Sequence, residues 1–97
     1  MKNKILLVTG GTGSFGHAVI HKLINSNLKE IRILSRDELK QDEMRRFYKN
    51  QKLKFIIGDI REYNSIKYAF KDVDYVFHAA ALKQVPSCEF YPLEAVN

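Results

Sequence analysis

Three observations predict an α/β fold built on a doubly wound parallel sheet. Four short apolar runs recur along the 97 residues, at 4–9, 30–35, 53–58 and 74–79. Each of the first three is followed by a polar stretch able to form a helix. The runs themselves do not alternate with polar residues, which is the pattern of strands covered on both faces. Strands alternating with helices pair in parallel through right-handed crossovers.

The first run ends in LLVTGGTGSFGHAVI, where Gly10, Gly11, Gly13 and Gly16 crowd into seven residues. A structural turn rarely needs more than one or two glycines. Strand, glycine turn and helix form the context in which G-x-G-x-x-G (here Gly11, Gly13, Gly16) carries meaning. Such glycines allow a tight turn, clear space for a pyrophosphate and let helix and strand pack closely, while the helix N-terminus offers free N–H groups. The chain is therefore read as the N-terminal part of a Rossmann-type domain over residues 1–97, with strand order 3-2-1-4. Gly11 and Gly16 also have the spacing of an NTPase phosphate loop, but His17 and Ala18 stand where Lys and Ser or Thr are required.

The first helix is predicted over 14–25, with Phe15, Ala18, Val19 and Leu23 at helical spacing. The second strand ends in Ser35-Arg36, where NAD-binding folds commonly place an acid for the ribose hydroxyls. A hydroxyl and a guanidinium suit a 2′-phosphate, which argues for NADP. Asp37 follows immediately, and in the structural alternative Ser35 or Asp37 caps the second helix, predicted over 37–48, while Arg36 is solvated. The third strand ends in Gly58-Asp59-Ile60, with the Asp59 carboxylate at the edge where ligands bind. There it is read either as an acceptor for the adenine amino group or as a cap for a third helix over 62–70. Beyond the fourth strand, Pro86 and Pro92 are read as openings of helical turns. A doubly wound sheet usually has five or more strands, so the chain is expected to be truncated after the fourth. That would leave Tyr75, Val76 and Phe77 on an unpaired apolar edge, and it predicts marginal stability and self-association into a homo-oligomer.

Composition narrows the function further. The formal charge is +5, yet residues 29–54 mix nine Lys or Arg with five Asp or Glu. Interleaved charge of this kind is a solvated surface tolerant of anions, and no nucleic-acid partner is expected. The single cysteine, Cys88, excludes an internal disulfide and is read as an inert thiol in a reducing compartment. No signal peptide or membrane-length apolar run is present in the sequence, so a cytoplasmic location without a membrane partner is expected. His17 and His21 are four apart on the first helix, but no third ligand accompanies them and no metal is expected. His78 is read as a packed strand-end residue.

With these sites in place, TGGTGSFG resembles the TGxxGxxG motif of the extended short-chain dehydrogenase/reductase superfamily. SRDELKQ, GDIR and HAAALKQVPSCEFYPLEAVN more narrowly resemble the inverting UDP-N-acetylglucosamine 4,6-dehydratases of bacterial surface-polysaccharide and flagellin-sugar pathways. The resemblance runs the whole length, and its last stretch is the most specific. It implies that Thr12, Gly13, Ser14 and Phe15 line the pyrophosphate, with Gly10 and Gly16 of the same turn also read as cofactor-binding. Ser35, Arg36, Asp37, Glu38, Leu39 and Lys40 would hold the 2′-phosphate side, and Asp59 with Ile60 would flank the adenine. Ala79 would lie along the nicotinamide half, Lys83 would reach both cofactor and sugar nucleotide, and Asn97 would line the cofactor. The implied reaction is NADP-dependent oxidation at sugar C4, loss of water across C5 and C6, and return of hydride to C6 with inversion at C5. The Tyr-x-x-x-Lys pairs Tyr48/Lys52 and Tyr63/Lys67 precede the fourth strand, whereas the family's catalytic pair follows the fifth. The family's Thr-Asp-Lys segment also belongs beyond Asn97, so this stretch alone is expected to be inactive. A nucleotide-sugar 4-epimerase of the same superfamily is the nearest rival, and a non-catalytic dinucleotide-binding module is the alternative of another class.

Overall fold

The computed structural model describes residues 2–10, 12–79 and 90–92. Its elements run β1 (Ile5–Thr9), α1 (Ser14–Leu23), β2 (Glu30–Ser35), α2 (Glu38–Tyr48), β3 (Leu53–Ile57), α3 (Tyr63–Ile66), a 3-10 turn (Lys67–Phe70), β4 (Tyr75–His78) and β5 (Phe90–Pro92). The four predicted strands are all present, each within a residue of its expected bounds. Among the described residues the sheet order is β3-β2-β1-β4-β5, and β1 to β4 pair in parallel.

Side chains alternate across the sheet plane, so each strand feeds two cores. Leu6, Val8, Ile31, Ile33 and Phe77 pack on one face with Ile20 and Met44, which come from α1 and α2. Ile5, Leu7, Leu34 and Val76 pack on the other with Ile66 and Val73. Leu6 and Leu7 are both fully buried, and truncating either to Ala is worth roughly 2–5 kcal/mol. Coverage of both faces is what the unalternating apolar runs require.

Polar groups fix the strand starts and crossovers. Asp74 accepts from the Ile5 N–H (2.9 Å), while its own N–H donates to the Ile5 carbonyl (2.9 Å), tying β4 to β1. The Arg32 guanidinium, paired with Glu30, donates to the carbonyls of Ala69 (2.9 Å) and Lys71 (2.6 Å). Those carbonyls belong to the tightened turn that replaces the second half of the helix expected over 62–70. Ile66 and Ala69 are buried, while Tyr63 is exposed and rests against Phe70 with ring centroids 5.7 Å apart. Among the described residues three non-glycine positions are left-handed: Asn3 (φ 59°), Lys49 (φ 47°) and Asp72 (φ 63°). One lies in each of the loops leading into β1, β3 and β4.

The expected open edge on β4 is corrected. β5 lies antiparallel on it, with Tyr75 opposite Pro92, Val76 opposite Tyr91 and Phe77 opposite Phe90. Residue 92, expected to open a helix, instead ends this strand. A parallel neighbour needs a crossover of about a dozen residues or more, usually helical, whereas a shorter link suffices to reverse the chain. Pro92 suits the position, since an edge strand tolerates a residue without an N–H.

Candidate cofactor-binding site

Parallel register brings the C-terminal ends of the strands to one edge. Thr9 lies opposite Leu34 on β2 and His78 on β4, and Ser35 lies opposite Ile57 on β3. Hydrogen bonding continues one residue beyond the strands: the Gly10 N–H donates to the Leu34 carbonyl (2.7 Å) and the Gly58 N–H to the Ser35 carbonyl (2.9 Å). Thr9, Gly10, Leu34, Ser35, Arg36, Gly58, Asp59, Ile60 and Arg61 therefore line one cleft of about 280 Å³. Such a volume lies at the small end of ligand sites, suited to a nucleoside rather than a whole dinucleotide.

The glycines have separate duties. Gly10 is left-handed (φ 67°), a conformation that favours glycine, and it turns the chain off β1. A methyl added at Gly58 would collide with the Ile66 side chain and approach Leu34 Cδ1 at 3.3 Å, so this glycine serves packing between β3 and α3. Among the described residues, a methyl added at Gly13 would meet only the Gly10 carbonyl oxygen, at 3.8 Å. Gly13 is also exposed and has a negative φ (−82°). Nothing in the described fold forbids a side chain there. Gly13 precedes α1, whose first turn has neither a side-chain cap nor an acidic residue. That combination fits an anion approaching the helix N-terminus closely. Thr12 is half-buried and Ser14 exposed beside it, while Phe15 packs on the core and Gly16 is buried.

At the end of β2, Ser35 is buried and its hydroxyl oxygen accepts from Gln41 Nε2 (2.9 Å). The hydroxyl hydrogen remains to donate elsewhere. Gln41, buried on α2, also donates to the Ile56 carbonyl (2.8 Å), joining β2, α2 and β3 behind the cleft. Asp37 performs the structural role weighed for it, capping α2 by accepting from the Lys40 N–H (3.0 Å). Glu38 and Leu39 line a different hollow with Gln41, Asp42, Arg45 and Ile57, so they do not share the cleft of Arg36. Lys40 is exposed.

At the end of β3, the Asp59 carboxylate faces two guanidinium groups. Arg61 reaches both its oxygens, through Nε (3.0 and 3.1 Å) and Nη2 (2.6 Å), and the Arg61 backbone N–H adds a bond to Oδ1 (2.9 Å). Arg36 Nη1 stands 3.6 Å from Oδ2. The Arg61 hydrogen bonds, helped by the charges of Arg61 and Arg36, hold the carboxyl at about 2 against an ordinary value of 3.8. Asp59 does not cap the following helix. Its carboxylate is turned to Arg61, and α3 begins after Glu62 with no side-chain cap. Arg61 is the member of this site that sequence reading passed over. The signal was its place two residues after Asp59, close enough to fold back on that carboxylate.

At the far side, Thr9 Oγ1 and His78 Nδ1 are 2.8 Å apart, joining β1 to β4 where the strand order changes direction. Ala79 is buried just beyond β4. Lys83 and Asn97 lie outside the described residues. The first Tyr-x-x-x-Lys pair has other partners: Tyr48 Oη donates to the His17 carbonyl (3.3 Å), and Lys52 donates to the Ser26 carbonyl (2.7 Å). Burial raises the Tyr48 phenol, the wrong direction for an acid–base catalyst near neutral pH. His17 meets the Tyr48 ring at 6.0 Å. Among the described residues no three His, Cys, Asp or Glu side chains gather, and no helix is long and apolar enough to cross a membrane.

The chain resembles proteins named UDP-glucose 4-epimerase from Rickettsia. It is 64% identical to that of Rickettsia bellii (strain OSU 85-389) and 63% identical to that of Rickettsia prowazekii (strain Madrid E), in each case across 98% of this chain. It spans 29% of the length of these relatives. Among solved structures, Pen from Bacillus thuringiensis superposes with a TM-score of 0.77 at 37% identity, over 87% of this chain and 27% of that one. A mutated uronate dehydrogenase shares the fold, with a TM-score of 0.60 at 22% identity over 78% of this chain and 25% of that one. Residues 6–97, from the first strand through the glycine turn and the cleft to the end, match a single family throughout. The chain belongs to the polysaccharide biosynthesis protein family.

Proposed function

We propose that this chain binds NADP by its adenosine end, as the cofactor-binding portion of an enzyme that acts on a UDP-sugar at C4. The observation that carries the reading is Ser35-Arg36 lining the cleft where an acid would otherwise receive an NAD ribose. One carboxylate against two guanidinium groups leaves the cleft positive, as a 2′-phosphate requires. The open first turn of α1 and the unfilled space at Gly13 suit the pyrophosphate, and Ile60 offers an apolar wall to adenine. When bound, the cofactor supplies reversible hydride transfer. The protein's part in these residues is to hold and orient it.

Oxidation at C4 opens both the epimerase and the dehydratase reactions. The name carried by relatives at 62–64% identity favours UDP-sugar 4-epimerisation. The dehydratase acting on UDP-N-acetylglucosamine is a second reading, favoured by the GDIR and ALKQVP stretches. In the dehydratase reading Lys83 would reach both cofactor and sugar nucleotide. Calorimetric titration of the full-length protein tests the cofactor: Arg36→Ala should weaken NADP about fivefold more than NAD, the scale of one exposed charge contact. Equal losses would overturn the NADP reading. NMR of the products from UDP-glucose and UDP-N-acetylglucosamine separates the reactions, since epimerisation retains the C6 hydroxyl and dehydration removes it.

A further inference from the structure

We propose that Arg61 determines the preference for a 2′-phosphate over a 2′-hydroxyl, by occupying the Asp59 carboxylate and so leaving Arg36 available to the anion. The proposal deepens the NADP reading above and rests on it. Asp59 and Arg36 line the same cleft, so a phosphate drawn to Arg36 meets a carboxylate nearby. Unopposed, that carboxylate would act twice against the phosphate: it would repel the incoming charge, and it would hold Arg36 in a direct ion pair.

Arg61 weakens both obstacles. It takes both Asp59 oxygens at 2.6–3.1 Å, in the forked geometry that makes arginine–carboxylate pairs strong and directional. Its backbone N–H adds a fourth bond, fixing the carboxylate against rotation. Arg36 keeps only a loose ion pair, 3.6 Å from the nearer oxygen and beyond a normal hydrogen bond, with its side chain 70% exposed. The Asp59 side chain is 15% exposed, and the Arg61 guanidinium lies directly against both its oxygens. Arg61 is thus a positioning residue that acts through Asp59 and Arg36.

The test is a set of NADP⁺ and NAD⁺ titrations on the full-length protein and its variants. Arg61→Ala should lower NADP affinity about fivefold more than NAD affinity, matching the effect of losing one exposed charge contact. Arg61→Lys, which keeps the charge and loses the fork, should fall between. With Asp59→Asn already in place, Arg61→Ala should no longer change the NADP-to-NAD ratio, because no charge remains to neutralise. A ratio unchanged by Arg61→Ala, or changed equally in the Asp59→Asn background, would overturn the proposal. Arg36→Ala separates the two readings. If it shifts the ratio and Arg61→Ala does not, Arg61 has no such role and the NADP reading stands; if neither shifts it, both fail. Arg61 is 73% exposed at its side chain, so the fold should survive its loss, and a matching thermal melt verifies that.

Discussion

A methyl group added at Gly13 would meet, among the described residues, a single carbonyl oxygen at 3.8 Å, whereas one added at Gly58 would drive into the Ile66 side chain. The two substitutions should therefore separate binding from stability. Gly13→Ala should leave the melting temperature nearly unchanged and weaken NADP binding. Gly58→Ala should lower stability by about 1–3 kcal/mol, because the β-branched Ile66 has little rotamer freedom with which to yield. The reverse pattern, in melts and titrations run side by side, would mean that the turn at Gly13 serves the fold. Asp59 gives a second residue-scale prediction. Its carboxyl titrates near 2 instead of 3.8, chiefly through Arg61. A depressed carboxyl stabilises the fold fully above its unfolded value, and that contribution is lost as pH falls through the folded one. The Asp59–Arg61 contribution should thus be complete above about pH 4 and disappear toward pH 2. In Arg61→Ala the titration, followed by carboxyl NMR, should move back up toward 3.8.

The elements were legible in the sequence to the extent that apolar burial dictates them. Ile5–Val8 and Ile31–Leu34 read as strands because both faces of the sheet are covered, and the glycine turn read as a site because its flanks were right. What escaped depends on polar side chains finding one another in space. Gln41 looks like an ordinary mid-helix glutamine, yet it turns inward because the Ser35 hydroxyl and the Ile56 carbonyl accept from it. Arg61 is exposed and lies in a charged loop, so neither periodicity nor burial marks it. The third helix broke into a short α-helix and a 3-10 turn whose carbonyls meet Arg32, a residue distant in sequence. Asp37 was weighed both as a cofactor contact and as a cap, and its bond to the Lys40 N–H supplies the cap. Asp37→Ala should cost about 1 kcal/mol in denaturant unfolding, and Asp37→Asn much less. Equal losses for the two would mean that its charge, and not its capping oxygen, matters.

At the scale of the whole molecule, β5 alters what the sequence led one to expect. Nothing in the residue pattern marks it, since Phe-Tyr-Pro is too short for a periodic pattern and Pro argues against a strand. Paired on β4, it covers backbone groups that would otherwise be a template for another chain. A variant shortened to end before Phe90 should self-associate more than the 97-residue chain, as read by light scattering. Equal association states would show that β5 does not protect this edge. The left-handed residues Lys49 and Asp72 occupy loops at the opposite end of the strands from the cleft, where the chain enters β3 and β4. This separation gives protein engineers a region to work in. Lys49→Gly should relieve the left-handed strain and raise stability by about 0.5–1 kcal/mol, the gain being net of glycine's greater unfolded freedom. Stabilising changes at active sites commonly cost function, but this one lies on the far rim and should leave NADP titrations unchanged.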